Sequence, residues 1–360
     1  MTQDRIRGSL IGGAIGDALG YSVEFDSLGS IRSKYGERGI TRLDTTYSLH
    51  SGANGKAVIS DDTQMTLFTA CGLLNAKRQD LPFLEAIKQA YLEWFETQTS
   101  RNTSHQPECW IRDVPELNHH RAPGLTCMSA LREIAQGAPH GNNDSKGCGG
   151  VMRIAPIPLF AVPERRMDIL ESDRLAGDAA ALTHRHPLGY LSAAMAAHVI
   201  YLLVQESSPT RQTLEDAIAD ANLAMRTLYP KQARYVETLE GLSKQAVALA
   251  ANAAPDIENI NVLGEGWVGE ETLVIALYCS LRHFDSFENA MIASVNHGGD
   301  SDSTGAVAGN ILGAALGYQA LPSFYTDDVE LHDLILQMAD DLYTGTISGN
   351  GKTGSGVASS

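Results

Sequence analysis

The chain has 360 residues with 43 acidic and 27 basic side chains, which gives a formal net charge of −16. This charge argues against nonspecific binding to nucleic acid or to an anionic membrane. The five cysteines are odd in number and form no CxxC pair, which excludes a disulfide framework of the secreted type. Residues 1–5 lack the basic and apolar regions of a signal peptide, so we expect a cytoplasmic protein.

Helical periodicity recurs along most of the chain. Apolar residues at helical spacing predict helices that start near Met65, Leu84, Met128, Leu188, Leu214, Leu273, Phe287 and Leu331. Residues 29–58 and 255–270 lack this period and are predicted to be irregular. Strand patterns are nearly absent. We therefore predict an all-α fold with one domain over residues 1–347, followed by a disordered Gly/Ser-rich tail at residues 348–360.

Two of the predicted helices have one face almost without side chains. Glycine recurs at every fourth residue from Gly8 to Gly20 and again from Gly305 to Gly317. Each glycine inside a helix costs about 1 kcal/mol relative to alanine, so the repetition needs a compensating gain. Close approach of two backbones provides that gain. We predict that the two glycine helices pack directly against each other.

Paired aspartates open two predicted helices, with Ser-Asp-Asp-Thr at residues 60–63 and Asp-Ser-Asp-Ser at residues 300–303. Helix capping explains either cluster alone, because Ser and Asp are common caps and acids suit the helix dipole there. Two aspartate pairs, each beside a hydroxyl residue, together favour a metal site. Oxygen ligands select a hard cation such as Mg²⁺ or Mn²⁺, and four aspartates favour two ions over one.

Three further features are consistent with such a site. The glycine-rich turn at residues 145–153 predicts backbone N–H groups that cradle an anion, although most such turns have no ligand. His184 lies between two helices and is either a polar loop residue or a donor to phosphate or ribose. Asp17 and Glu24 flank the C-terminal end of the first glycine helix, where an acid opposes the helix dipole. Capping therefore does not explain them, which favours a functional role.

Five motifs together resemble the ADP-ribosylglycohydrolase family, and they occur in the family's order over about residues 5–320. They are GDALG at 16–20 with Glu24, SDDT at 60–63, GCGGVMR at 147–153, TH at 183–184 and GGDSDS at 298–303. The resemblance implies a single compact orthogonal helical bundle. It also implies a binuclear Mg²⁺ centre at the base of an ADP-ribose cleft.

The resemblance also implies roles for individual residues. The metal ligands would be Ser60, Asp61, Asp62, Asp300, Asp302 and Ser303, of which Asp62 and Asp302 would also serve catalysis. The contacts to ADP-ribose would come from Ser145, Gly147, Cys148, Gly149 and His184. Glu24 would be the mobile catalytic acid near the metals. Ser60 and Ser303 replace the threonine of many relatives, and Cys148 replaces the asparagine of several branches.

The implied activity is Mg²⁺-dependent hydrolysis of the N-glycosidic bond of mono-ADP-ribosylated arginine on protein. This reaction needs a water nucleophile and protonation of the leaving group. Asp113 is a candidate for holding the guanidinium. Three alternatives stay open: hydrolysis of serine-linked ADP-ribose, an immunity protein that neutralises an ADP-ribosyltransferase toxin, and a two-metal phosphohydrolase acting on nucleotides. The expected partners are an ADP-ribosylated protein and a transferase, with neither nucleic acid nor membrane.

Overall fold

The computed structural model describes residues 1–46, 55–99 and 107–348. Within these ranges the chain forms sixteen α-helices, short 3-10 helices and two isolated β-bridges, which confirms the predicted all-α fold. The helices are α1 (Thr2–Tyr21), α2 (Leu28–Tyr35), α3 (Asp61–Gln79), α4 (Phe83–Thr99), α5 (Leu125–Ala135), α6 (Pro156–Ala161), α7 (Ile169–Ala181), α8 (Pro187–Gln205), α9 (Arg211–Leu228), α10 (Ala233–Ala250), α11 (Asp256–Leu263), α12 (Gly269–Arg282), α13 (Phe287–Val295), α14 (Ser301–Leu316), α15 (Ser323–Thr326) and α16 (His332–Thr344). Apart from Ser348, the predicted tail lies outside the described residues.

Helices α1 and α14 form an antiparallel central pair whose backbones touch. Gly12 faces Gly309, and Gly16 faces Gly305. A Cβ atom built on Gly309 would lie 2.0 Å from the carbonyl oxygen of Gly12, closer than any side chain tolerates. The predicted packing of the two glycine helices is therefore confirmed.

The central pair is surrounded by apolar helices. By length and composition one described helix, α8, is apolar enough to span a membrane, but 83% of its most apolar window is buried inside the protein. Helix α12 is also largely buried and packs against α8 and α14. Helix α8 is therefore accounted for as a core helix.

Two segments that were predicted to be irregular contain helices. Helix α2 lies within residues 29–58 apart from its first residue and begins after Ser27, whose hydroxyl accepts a hydrogen bond from Ser30 N–H at 3.2 Å. Helix α11 lies within residues 255–270. Each has only eight residues, and α2 buries only Ile31, so neither shows an apolar period. The rest of the first segment includes residues 47–54, which lie outside the described ranges.

Candidate active site

The N-termini of α3 and α14 meet below the C-terminal end of α1, and both begin with a side-chain cap. The Ser60 hydroxyl accepts a hydrogen bond from Asp62 N–H at 3.1 Å. The Asp300 carboxylate accepts one from Ser303 N–H at 3.4 Å. The capping interpretation is thus correct for these two residues, but it leaves several carboxylate oxygens of the cluster without a partner. Both helix dipoles place their positive ends toward the acids, which favours the ionised carboxylates.

Several oxygens of this cluster are buried without a hydrogen-bond partner in the described structure. They are Oε2 of Glu24, Oδ2 of Asp62 and Oδ2 of Asp300. Glu24, Asp300 and Asp302 each offer an oxygen, and these three atoms lie within 4.8 Å of one another. Leaving buried carboxylates unpaired is costly, so the cluster fits a cation. An all-oxygen donor set fits Mg²⁺ or Mn²⁺.

The raised pKa values of the clustered carboxylates also indicate a cation site. Burial and then the neighbouring Asp302 raise the pKa of Asp61, Asp62 and Asp300 well above the ordinary aspartate value. The same two causes raise the pKa of Glu24 to about 11. Carboxylates this close cannot all ionise in a dry site unless a cation balances them.

Asp17 supports the cluster from behind. Its carboxylate accepts hydrogen bonds from Ser60 N–H at 2.9 Å and Thr63 N–H at 3.1 Å, and from the Thr63 hydroxyl. Burial and the charge of Asp302 raise its pKa to about 7. Asp17 is unfavourably placed for the dipole of its own helix, α1. Its carboxylate instead accepts hydrogen bonds from N–H groups at the start of α3. Its position is therefore explained by alignment of the ligand-bearing turn.

A cleft of about 430 Å³ opens over this cluster. The acidic base of the cleft is formed by Glu24, Asp61, Asp62, Asp300, Asp302 and Ser303, and its wall includes Gly147, Cys148, Gly149 and His184. The remaining expected ligand, Ser60, is fully buried beneath this surface. Ser145 is not part of the cleft lining. Its hydroxyl accepts a hydrogen bond from Gly147 N–H at 3.3 Å and lies 3.1 Å from the Thr126 hydroxyl.

Asp113 is not brought to the cleft. It ends the 3-10 helix Trp110–Asp113, is exposed to solvent and is absent from the cleft lining. The short helix keeps this residue at the solvent surface, and no local pattern around Asp113 indicates that placement. The expected role of Asp113 in holding a guanidinium stays a prediction, and the proposed function does not use it.

The glycine-rich wall is less open to an anion than predicted. Gly147 N–H is bonded to Ser145, and Cys148 N–H donates to the Trp267 carbonyl at 3.3 Å. His184 is a further polar side chain of the predicted set in this wall. Burial and then the charge of Arg153 lower its pKa to about 3, so the imidazole is neutral near pH 7.

Comparison with known proteins shows the family of the chain. The family model described as ADP-ribosylglycohydrolase matches residues 1–350. The chain belongs to the ADP-ribosylglycohydrolase family. This membership places it among glycosyl hydrolases and confirms both the resemblance and the expectation of an enzyme.

The curated relatives differ in how much of their length this chain matches. The chain is 27% identical to the bovine (Bos taurus) ADP-ribosylhydrolase ARH3 over 55% of its own length and 58% of that protein, so the match spans just over half of that relative. It is 26% identical to the ADP-ribosyl-[dinitrogen reductase] glycohydrolase of Rhodospirillum rubrum, over 91% of each chain. It is 24% identical to the ADP-ribosylarginine hydrolase Tri1 of Serratia proteamaculans, over 94% of this chain and 79% of Tri1.

Among solved structures, a chain described as an ADP-ribosylglycohydrolase-related protein complex matches with a TM-score of 0.63 at 22% identity. The match covers 96% of this chain and 99% of the other. At this identity the likeness shows the shared fold alone.

Three large apolar residues at the cleft of this family member were missed by sequence reasoning. Phe25, Leu125 and Trp267 line the cleft, yet their exposures are 72%, 88% and 41%. Trp267 lies in a segment that was predicted to be irregular, and the other two belong to no apolar period. The available signal was adjacency, because Phe25 directly follows Glu24.

Proposed function

We propose that this protein is a Mg²⁺-dependent, cytoplasmic hydrolase that cleaves the N-glycosidic bond of mono-ADP-ribosylated arginine on proteins. The observation that carries the proposal is the meeting of two capped helix N-termini at the base of a cleft. There, one carboxylate oxygen each of Glu24, Asp62 and Asp300 has no hydrogen-bond partner in the described structure. The choice of arginine is supported by the relative named an ADP-ribosylarginine hydrolase, which matches 94% of this chain.

The metal would be held by the oxygen-bearing residues of the two helix starts, Ser60, Asp61, Asp62, Asp300, Asp302 and Ser303. When bound, Mg²⁺ supplies Lewis-acid charge for the ribose hydroxyls and the attacking water. We propose two ions because four aspartates carry more negative charge than one dication balances. Asp17 keeps the α3 turn aligned for this purpose through its bonds to Ser60 and Thr63.

Glu24 is placed to move the proton that the reaction requires. Hydrolysis adds water to the anomeric carbon, breaks the bond to the guanidinium nitrogen and transfers one water proton to that nitrogen. Glu24 lies at the cleft base with one free carboxylate oxygen and an exposure of 9%. It takes the proton from water and returns it to the leaving nitrogen. His184, neutral and in the wall, donates a hydrogen bond to the ADP-ribose.

The test is a panel of peptides with ADP-ribose on arginine or on serine, incubated with and without Mg²⁺. We expect Mg²⁺-dependent release of intact ADP-ribose from the arginine peptide. Glu24→Gln should lower this rate by about 100-fold or more, as expected for loss of a general acid–base group. Asp113→Asn is the matched control, because this exposed acid lies outside the cleft and the variant should stay active.

The other outcomes assign the alternatives. Release from the serine peptide alone would replace arginine as the linkage. Release of phosphate from nucleotides would indicate the two-metal phosphohydrolase. An immunity protein that acts by binding would be indicated by two results together. The Asp302→Ala variant would bind an ADP-ribosyltransferase tightly, and the wild-type protein would show no hydrolysis.

A further inference from the structure

Behind the cleft wall lies a fully buried arginine that the proposed function does not use. The Arg153 guanidinium has 0% exposure and stacks 4.4 Å from the centre of the Tyr91 ring. One terminal nitrogen, Nη1, lies 3.4 Å from the sulfur of Met65 and 3.4 Å from that of Cys127. The other, Nη2, donates to the Ala179 carbonyl at 3.1 Å. None of these partners carries a negative charge.

A buried charge with neutral partners requires a reason, because removing an ion from water is strongly unfavourable. Arg153 lies directly behind residues that face the cleft. Its neighbour Cys127 lines the cleft, and its Nη2 also donates to the Thr183 hydroxyl at 2.6 Å. Thr183 in turn contacts His184, which lines the cleft as well. The charge is therefore separated from the cleft by a single layer of side chains.

The hydroxyl between the two residues favours one tautomer of the imidazole. Thr183 Oγ1 accepts the guanidinium N–H, so its own proton goes to another acceptor. His184 Nδ1 lies 2.9 Å away, whereas the Ala180 carbonyl is at 3.4 Å. The closer acceptor is Nδ1, and an accepting Nδ1 requires the proton of a neutral ring to be on Nε2. Nε2 is on the cleft side, 3.3 Å from where a Cβ of Gly147 would lie.

We propose that Arg153 is a positioning residue for the anionic part of the substrate. Through Thr183 it holds His184 in the tautomer that carries the proton on Nε2. Its unpaired charge also favours a diphosphate in the adjacent part of the cleft. The assignment of that anion as the diphosphate of ADP-ribose rests on the proposed function. In a protein with a net charge of −16 and an acidic cleft base, such an anion needs a local cation and an oriented donor.

The first experiment changes only the hydroxyl. Nitrogen-15 NMR of the imidazoles, with His184 assigned by the loss of its signals in His184→Gln, should show the Nε2–H tautomer in the wild type without substrate. Thr183→Val should disturb this tautomer and weaken binding of ADP-ribose in Mg²⁺ by about tenfold, the loss expected for one oriented hydrogen bond to a charged group. Mn²⁺ affinity should not change. Thr326→Val, another buried threonine remote from the cleft, is the control and should alter none of these readouts.

The second experiment changes the charge. Arg153→Met should weaken ADP-ribose binding at least as much as Thr183→Val. Adding Thr183→Val to it should cost little more, because the two residues act in one chain of hydrogen bonds. Arg153→Lys keeps the charge and should restore part of the affinity. If Arg153→Met does not fold, Thr183→Val and the NMR tautomer still decide.

An Nδ1–H tautomer in the wild type, or unchanged ADP-ribose affinity in Thr183→Val, would overturn the proposal. These outcomes are independent of turnover, since neither measurement requires hydrolysis. A protein that binds ADP-ribose through the Nε2–H tautomer but fails to cleave the arginine peptide would contradict the proposed function and leave the role of Arg153 intact.

Discussion

At the residue scale, Asp17 shows how a side chain serves the site without touching what binds there. Its carboxylate holds the backbone N–H groups of Ser60 and Thr63, and so fixes the turn that presents Asp61 and Asp62. The bond to Ser60 joins residues 43 positions apart in the chain. Sequence reasoning recognised that Asp17 was badly placed in its own helix. It had no means to find that the carboxylate caps another.

The Asp302→Ala variant tests the metal site. We expect hydrolysis to fall by more than about 100-fold. Loss of a residue that only supports a metal ligand typically lowers metal affinity or activity 10–100-fold, and this variant loses one of the proposed ligands itself. The helical fold should persist, since Asp302 repels its acidic neighbours in the metal-free protein. Melting curves with Mg²⁺ and with EDTA complete the measurement, because a bound ion stabilises only the folded state. Mg²⁺ should raise the melting temperature of the wild type alone. Full activity of the variant, or of the wild type in excess EDTA, would exclude the site.

The Gly149→Ala variant tests the cleft wall. A Cβ here would lie 2.8 Å from the Cys127 sulfur and 2.9 Å from Cε1 of His184, so the imidazole must move. We expect ADP-ribose binding to weaken and the protein to lose about 1–3 kcal/mol of stability through overpacking. Gly29→Ala, on an exposed turn of α2 where the nearest atom is 3.8 Å away, is the control and should leave both unchanged or slightly improved. Wild-type affinity in Gly149→Ala would separate His184 from ligand binding.

The expected residues that reached the cleft are those whose evidence was local. The aspartate–hydroxyl clusters were recognisable because each opens a helix within four residues of chain. Asp113 does not lie in the cleft lining, because its candidacy depended on a position in space that no nearby residue determined. Trp267 was missed for the same reason, since its carbonyl is held by Cys148 from another part of the chain.

At the element scale, the pairing of α1 with α14 determines where the acids lie, because Asp300 and Asp302 start α14. Gly309→Ala places a methyl group 2.0 Å from the Gly12 carbonyl. We expect the protein to lose about 1–3 kcal/mol of stability. The loss can be larger here, because the nearest atoms all belong to the backbone of α1. Metal affinity should fall with it. Thermal unfolding and Mn²⁺ titration of the same preparation measure the two effects together, and Gly309→Leu should enlarge both.

Gly241 provides the control for this prediction. It lies inside α10, and among the described residues no atom beyond the backbone of its own helix comes within 4 Å of the position that a Cβ would take there. Gly241→Ala should therefore stabilise the protein by up to about 1 kcal/mol through helix propensity. The two substitutions are chemically identical and differ in expected sign. A Gly309→Ala protein that melts at or above the wild type would contradict the close pairing.

Which elements could be predicted follows from how they are buried. Helices such as α3 and α12 bury long apolar faces, so their period is visible in the sequence. The glycine face of α1 was recognisable for the opposite reason, because repeated glycine in a helix has few explanations besides backbone contact. Helices α2 and α11 are short and bury few side chains, so both depend on the surrounding fold, and α2 also has the Ser27 cap.

At the scale of the whole molecule, the fold and the site depend on the same contact. Helix α1 begins at residue 2 and α14 ends at residue 316, so the central pair joins distant segments of the chain. The ligand-bearing turns of α3 and α14 likewise lie far apart in the chain, at residues 60–63 and 300–303. Such long-range pairs form slowly during folding, because the chain loses the entropy of loop closure before the stabilising contacts are made. The site therefore forms only when these distant parts of the chain have come together.

The pH dependence of stability provides a test at this scale. His198 in α8 lies 2.7 Å from the buried Asp173 of α7 and 3.3 Å from Asp220 of α9. Burial alone would lower the pKa of His198, but the hydrogen bonds to Asp173 and then Asp220 outweigh it and raise the pKa. Burial raises the pKa of Asp173 to about 6, although His198 opposes this shift. The folded state therefore binds protons more tightly than the unfolded chain at both residues.

The sign of the effect is the same for both groups. Their stabilisation is complete below the unfolded pKa of each group, about 3.9 for aspartate and 6.5 for histidine. It is lost as pH rises through about 6 for Asp173 and through the raised pKa for His198. We expect the unfolding free energy of the wild type, relative to a His198→Gln/Asp173→Asn double variant, to fall by on the order of 1–3 kcal/mol from pH 4 to pH 8.

Urea unfolding of both proteins across this range measures the difference. The double variant replaces the buried ion pair by neutral groups of similar shape, so neither charge is left unpaired. His332→Gln is the matched control, because this histidine pairs with the fully exposed Asp333 and such surface pairs contribute little. Its curve should run parallel to that of the wild type. If the unfolding free energy of the wild type changed with pH in parallel with that of the double variant, the prediction would be contradicted. His198 and Asp173 would then not bind protons more tightly in the folded state.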